Sequence, residues 1–207
     1  MRLQWGEIPY SESVSPEARG LRVIHSPATR KIYWLAALAG LALLGGLCTG
    51  LSLWSWVVAN KAGMATAGDA ASPWITVLVV LATFIPLHEL LHLVGQPGWG
   101  MSRRSVLAVW PSKLRFGVYF EGCMSRRRWL GMRLAPFLVL SVLPACVVAV
   151  LQLHPWTPDV EVGLQVMMVV NALGSGGDIL AAVIVLRQVP AAAQMCFESG
   201  RAFWRPA

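Results

Sequence analysis

The sequence predicts an all-α polytopic membrane protein with about four transmembrane helices and a β-hairpin in the loop between helices two and three. Three observations support this class. The 207 residues are 56% hydrophobic and only 13% charged, with a mean hydropathy of +0.59, unlike an ordinary soluble domain. The apolar residues gather in long runs. Basic residues flank these runs, so the net charge of +7 fits the lipid bilayer surface and argues against nucleic acid as a partner.

The apolar runs predict the helices in chain order. Aromatic residues near the ends of the first run fit the headgroup boundary. The third contains Pro136 and Pro144, which membrane helices accept when neighbouring groups satisfy the released carbonyls. The fourth contains Asn171, Ser175 and Asp178 among glycines. The runs cover residues 33–60, 74–95, 129–153 and 162–186.

The connection between the second and third runs differs in kind. Alternating stretches, Ser105–Trp110 and Leu114–Phe120, flank a turn at residues 111–113 and predict a β-hairpin. The resulting division is a cytoplasmic segment at 1–32, a four-helix membrane domain at 33–187 and a cytoplasmic tail at 188–207.

The density of basic residues predicts the orientation. Five Lys and Arg precede the first run, one follows it, seven lie in 96–128, none in 153–161 and three in 187–207. Because basic loops stay on the cytoplasmic side, both termini and the hairpin are predicted there. The first 30 residues lack the apolar segment of a signal peptide, so we expect them to be retained.

The cysteines are predicted to be free thiols. They lie far apart without a CxxC pair, and two of them fall within apolar runs. The four are Cys48, Cys123, Cys146 and Cys196.

The second run carries the motif His88-Glu89-Leu90-Leu91-His92. On a helix, residues i and i+4 share a face, so His88 and His92 can direct two imidazoles at one metal ion. Glu89 stands beside them, where a carboxylate can act on the metal-bound water as a general base without being a ligand. The pattern predicts a zinc site of the zincin type.

A catalytic zinc normally has a third protein ligand, and Asp178 is the candidate. His88 lies 14 residues past Trp74 and Asp178 lies 16 past Val162, which places both roughly 21–24 Å from the outer ends of their helices. Asn171 lies nearly two turns before Asp178, where its amide could stabilise an oxyanion or serve only helix packing.

These residues resemble a bacterial family of integral-membrane zincin peptidases, and the resemblance implies a bacterial inner membrane. The resemblance covers residues 74–187 and rests on the HELLH motif, the hairpin-like loop, Leu134-Ala135-Pro136-Phe137 and the stretch from Asn171 to Asp178. That family is similar in layout to the site-2 protease class, which implies zinc on His88, His92 and Asp178 and a water activated by Glu89. The sequence departs from that class because Ile179, not glycine, follows Asp178 and no PDZ-sized insertion is present.

The predicted function is therefore an intramembrane zinc metallopeptidase that hydrolyses membrane-anchored or extended peptides, with the hairpin holding a substrate strand by edge addition. Two alternatives stay open. The same buried His, Glu and Asp cluster could serve a non-catalytic scaffold or a proton or metal-ion transport component. A degenerate protease could also bind clients or metal without cutting.

Overall fold

In the computed structural model, the described residues are 1–6, 20–25, scattered positions between 31 and 46, 73–111, 115–151, 158–198 and 201–207. The helices within these ranges follow the apolar runs. A π-helical turn at Leu138–Val142 separates the second and third helices. The helices are α1 at Pro73–Gly95, α2 at Arg126–Phe137, α3 at Leu143–Leu151, α4 at Pro158–Gly174 and α5 at Gly176–Gln188.

Seven described strands form two sheets. The first sheet has the order β1-β3-β4, with β1 parallel to β3 and β3 antiparallel to β4. The second has the order β2-β7-β6-β5, with every pair antiparallel. The strands are β1 at Arg2–Trp5, β2 at Arg22–Val23, β3 at Ser105–Trp110, β4 at Arg115–Phe120, β5 at Gly122–Ser125, β6 at Gln194–Glu198 and β7 at Arg201–Arg205.

The predicted all-α class is wrong, because the protein is mixed α/β with two sheets. The predicted hairpin itself is confirmed by the pairing of β3 with β4. The strands that the prediction missed are two to five residues long and lie in the terminal segments or after the hairpin. These stretches contain too few residues for alternation to separate a strand from a loop. Apart from the neighbouring pair β6 and β7, their partners also lie far away along the chain, where no local pattern indicates them.

The count of four membrane helices is also corrected. Within the described residues, two helices are long and apolar enough to cross a membrane, 78–95 and 126–147. The pair Gly163–Gly174 and Gly176–Gln188 passes the same test together but bends by 46°, which gives up to three spans. Of the first predicted span, 33–60, only scattered positions up to residue 46 are described, and these are helical. The rest of that span lies outside the described residues.

The chain divides into two compact units. The first contains Met1–Ile32, Glu89–Ala135 and Asp178–Ala207, and both sheets belong to it. The second contains Tyr33–His88 and Pro136–Gly177. The buried core of the first unit is formed by Phe120, Met124, Trp129, Met132, Val185, Val189, Ala193, Met195 and Trp204.

One cysteine pair corrects the expectation of free thiols. Cys123 on β5 and Cys196 on β6 are direct cross-strand partners, with Cα atoms 4.0 Å apart, and they form a disulfide. They are 73 residues apart in sequence, so their spacing gave no sign of the pairing. Cys146 is free, as predicted, and Cys48 lies outside the described residues.

Candidate metal centre

His88, His92 and Asp178 form a buried group of potential metal ligands. Their side chains offer one ligand atom each, and these atoms all lie within 4.8 Å of one another. The exposed fractions of the three residues are 7%, 4% and 7%. Two imidazole nitrogens and one carboxylate oxygen are a donor set that zinc accepts, with the fourth position left for water or substrate. The residues that the sequence singled out as ligands are therefore brought together.

The hydrogen bonds of His92 define how its ring is held. Nδ1 lies 2.9 Å from the Met132 carbonyl oxygen and must donate to it, because a carbonyl only accepts. In the neutral ring the lone pair is then on Nε2, which lies 3.1 Å from Asp178 Oδ2. Two acceptors this close need a proton or a metal ion between them. Two ligands of a tetrahedral zinc lie roughly 3.3 Å apart, so the spacing fits the metal.

Asn171 holds the other histidine. It is completely buried, and its amide nitrogen donates to the Pro136 carbonyl at 2.9 Å and to Ser141 Oγ at 2.7 Å. These bonds fix the amide orientation, so Oδ1 accepts from His88 Nδ1 at 2.9 Å. The lone pair of His88 is consequently on Nε2, as in His92. In this arrangement the Asn171 amide orients His88, as the hydrogen-bond partner of a metal-binding histidine would.

Arg133 is a site residue that sequence reasoning missed. Its guanidinium donates to Asp178 Oδ1 at 2.7 Å, and it lies 5.4 Å from the centre of the Trp129 ring. The bond occupies one carboxylate oxygen and leaves Oδ2 on the side of His92. Arg133 lies within a candidate span, where a charge is costly without a partner. That cost was the available signal.

A close approach between helices supports His92. An added Cβ at Gly95 would lie 2.9 Å from both Cα and Cβ of Met132, so α1 and α2 touch backbone to backbone at this point. Arg128 adds bonds to the carbonyls of Gly95 and Gln96, at 3.1 and 2.8 Å. The carbonyl that accepts from His92 is therefore held against the end of α1.

Glu89 is not a member of the ligand group. Its side chain is half-buried, and Oε2 accepts a hydrogen bond of 3.0 Å from the backbone N–H of Val118 on β4. The carboxylate of the motif thus contacts the hairpin that the sequence placed near the substrate.

A family model described as "putative zincin peptidase" matches residues 80–194, which is more than half of the chain. The matched region includes the HELLH motif, the hairpin, Arg133, Asn171 and Asp178. No curated protein and no solved structure matches the chain.

Proposed function

Because the chain belongs to the putative zincin peptidase family, we propose that it is an intramembrane zinc metallopeptidase. The observation that carries this proposal is the buried convergence of His88, His92 and Asp178 on helices that include candidate membrane spans. Charged and metal-binding side chains are costly in a bilayer and are retained there for function. The basic loops favour an orientation with both termini in the cytoplasm, and the resemblance to bacterial membrane peptidases favours a bacterial inner membrane.

In the proposed reaction, Nε2 of His88, Nε2 of His92 and Oδ2 of Asp178 would hold the zinc ion. Bound zinc would supply a Lewis acid that activates water and polarises the scissile carbonyl. Glu89 takes the proton of the attacking water and delivers it to the leaving amine. Asn171 and Arg133 keep one histidine and the aspartate in the orientation that binding requires.

The proposed substrate is a membrane-anchored or otherwise extended polypeptide. A peptide bond inside a helix is shielded by its own hydrogen bonds, whereas an extended segment can pair with the edge of a sheet. The outer strand β4 lies beside the motif, since Val118 contacts Glu89. This adjacency favours the hairpin as the element that presents substrate to the proposed site.

Zinc content and cleavage test the proposal in separate steps. We expect about one zinc per detergent-purified wild-type chain, and loss of that zinc in His92→Ala and Asp178→Ala. His25→Ala is the matched control, since His25 contributes only backbone groups to its bonds with Gln188. Glu89→Gln should keep the zinc. In membrane vesicles in which the wild type generates new peptide termini, this variant should generate none.

Two results would contradict the proposal. A wild-type protein without zinc after metal-replete purification would exclude the metal centre. A Glu89→Gln variant that still generated the wild-type peptide termini would exclude Glu89 as the base. Metal-dependent ion flux in reconstituted vesicles without any cleavage would favour the transport alternative, for which the connected His92, Asp178 and Arg133 chain is the supporting observation.

A further inference from the structure

The outer edge of β4 has a defined pattern of backbone groups. The Glu121 N–H donates to the Arg104 carbonyl at 2.8 Å, so this pair is hydrogen-bonded across the hairpin. In an antiparallel ladder such hydrogen-bonded pairs alternate with non-hydrogen-bonded pairs, whose N–H and carbonyl groups point away from the partner strand. The register Leu107 to Val118 is one of the latter. The N–H and carbonyl of Val118 therefore point away from β3, and within the described residues β4 pairs with a strand on that one side only.

The Glu89 carboxylate is bonded to the backbone N–H that a pairing strand would need. Its carboxylate accepts from the Val118 N–H at 3.0 Å, and both residues belong to the first compact unit. A peptide that extends the sheet along β4 would place one of its own carbonyl oxygens at the same N–H. One hydrogen cannot serve both acceptors with good geometry, so the two contacts compete.

We propose that the Val118 N–H is the backbone-binding point for the substrate peptide, and that Glu89 closes this point until a peptide strand displaces it. The inference rests on the proposed function and adds to it a resting state. In that state the general base is tied to the substrate-binding edge. When the peptide binds, its carbonyl oxygen replaces the Glu89 carboxylate as the acceptor of the Val118 N–H, with no covalent change. The carboxylate then turns towards the water molecule that it deprotonates.

This arrangement couples binding to catalysis. The proton acceptor becomes available when an extended backbone lies along β4, and it returns to Val118 when the product leaves. The recognised chemistry is the peptide backbone, so an unstructured segment of varied sequence satisfies it. A folded helix does not, because its carbonyl groups are already bonded.

The test measures peptide binding to the zinc-loaded protein immediately after mixing, so it does not depend on cleavage. The probe is a fluorescein-labelled pool of random octapeptides, and its anisotropy reports binding to the detergent-purified chain. Glu89→Ala should bind the pool roughly tenfold more tightly than wild type, the scale of one charge-assisted hydrogen bond removed from competition. A pool N-methylated at every amide, which cannot pair as a strand along either edge, should bind less well to both proteins.

Two variants of Val118 separate the edge from general folding effects. Val118→Pro removes the N–H from the outer side of an edge strand, a position where proline is tolerated. Combined with Glu89→Ala, it should abolish the gain in peptide affinity that Glu89→Ala alone produces. Val118→Ala keeps the N–H and should preserve it. Amide exchange at Val118 gives a second readout and should be faster in Glu89→Ala than in wild type.

Equal or weaker pool binding by Glu89→Ala would overturn the proposal, as would the absence of binding in both proteins or a persistent gain in Val118→Pro. Unchanged exchange at Val118 would exclude the Glu89 contact itself. Each of these results leaves the zinc content and the cleavage assay untouched. Failure of this inference is therefore distinguishable from failure of the peptidase proposal.

Discussion

Replacing Arg133 by methionine should weaken zinc binding, even though it removes a positive charge from the neighbourhood of a cation. The guanidinium donates to Asp178 Oδ1 at 2.7 Å, which holds Oδ2 towards His92. Methionine keeps the apolar length of the side chain and removes the donor. The Arg133→Met variant therefore tests whether orientation of the aspartate outweighs charge repulsion.

The two effects can be compared in magnitude. Loss of an outer-shell partner typically weakens metal affinity about 10- to 100-fold, or roughly 1.4–2.8 kcal/mol. Relief of repulsion works the other way. The Arg133 side chain is 33% uncovered by protein, and a hydrolytic site must admit water, so water at the proposed site screens the guanidinium. A unit charge and a divalent ion roughly 6 Å apart in water-like surroundings repel by about 1 kcal/mol. The net expectation is zinc binding weakened roughly 2- to 20-fold.

Competition with a chromophoric chelator measures this affinity in detergent. Arg127→Met is the matched control, since Arg127 is an exposed residue of the same helix and its loss changes the net charge equally. We expect no change in that variant. Unchanged or tighter zinc binding in Arg133→Met, beside an unaffected control, would refute the orienting role.

Two further predictions concern the first unit. Gly95→Ala should destabilise the protein by about 1–3 kcal/mol and weaken zinc binding, because the new methyl would push Met132 and its carbonyl away. Gly131→Ala, with open space at its Cβ, is the control, and equal thermal midpoints in the two variants would contradict the close contact. Reduction of the Cys123–Cys196 disulfide should remove about 2–4 kcal/mol of stability. If reductant lowers the thermal midpoint of the wild type no more than that of Cys123→Ser, the disulfide does not stabilise the protein.

The sequence could predict those parts of the structure that depend on residues close together along the chain. The HELLH spacing needs only the helical period to place His88 and His92 on one face, and the hairpin alternates over adjacent stretches. Asp178 could be inferred because a carboxylate in an apolar run is costly unless it is paired or metal-bound. Each of these signals lies within one element or follows from one energetic penalty.

The parts that it could not predict depend on distant pairing. The strand β1 takes its place only because β3, more than 100 residues later, offers a parallel edge. Cys123 meets Cys196 only through the register of β5 and β6. The role of Arg133 follows from where Asp178 lies across the unit, which no period along α2 indicates. Tertiary contacts decide all three.

The π-helical turn at Leu138–Val142 changes the direction that the side chains after it face around the helix axis. It ends with the Leu143 N–H bonded to the Leu138 carbonyl, one residue wider than an α-turn. Since each residue advances a helix by about 100°, deleting one residue here would rotate everything that follows by that angle. Ser141 would then leave its bonds to Asn171 and the Met168 carbonyl. The extra residue of this turn thus determines whether the asparagine behind His88 keeps its bond to Ser141, beside the one to Pro136.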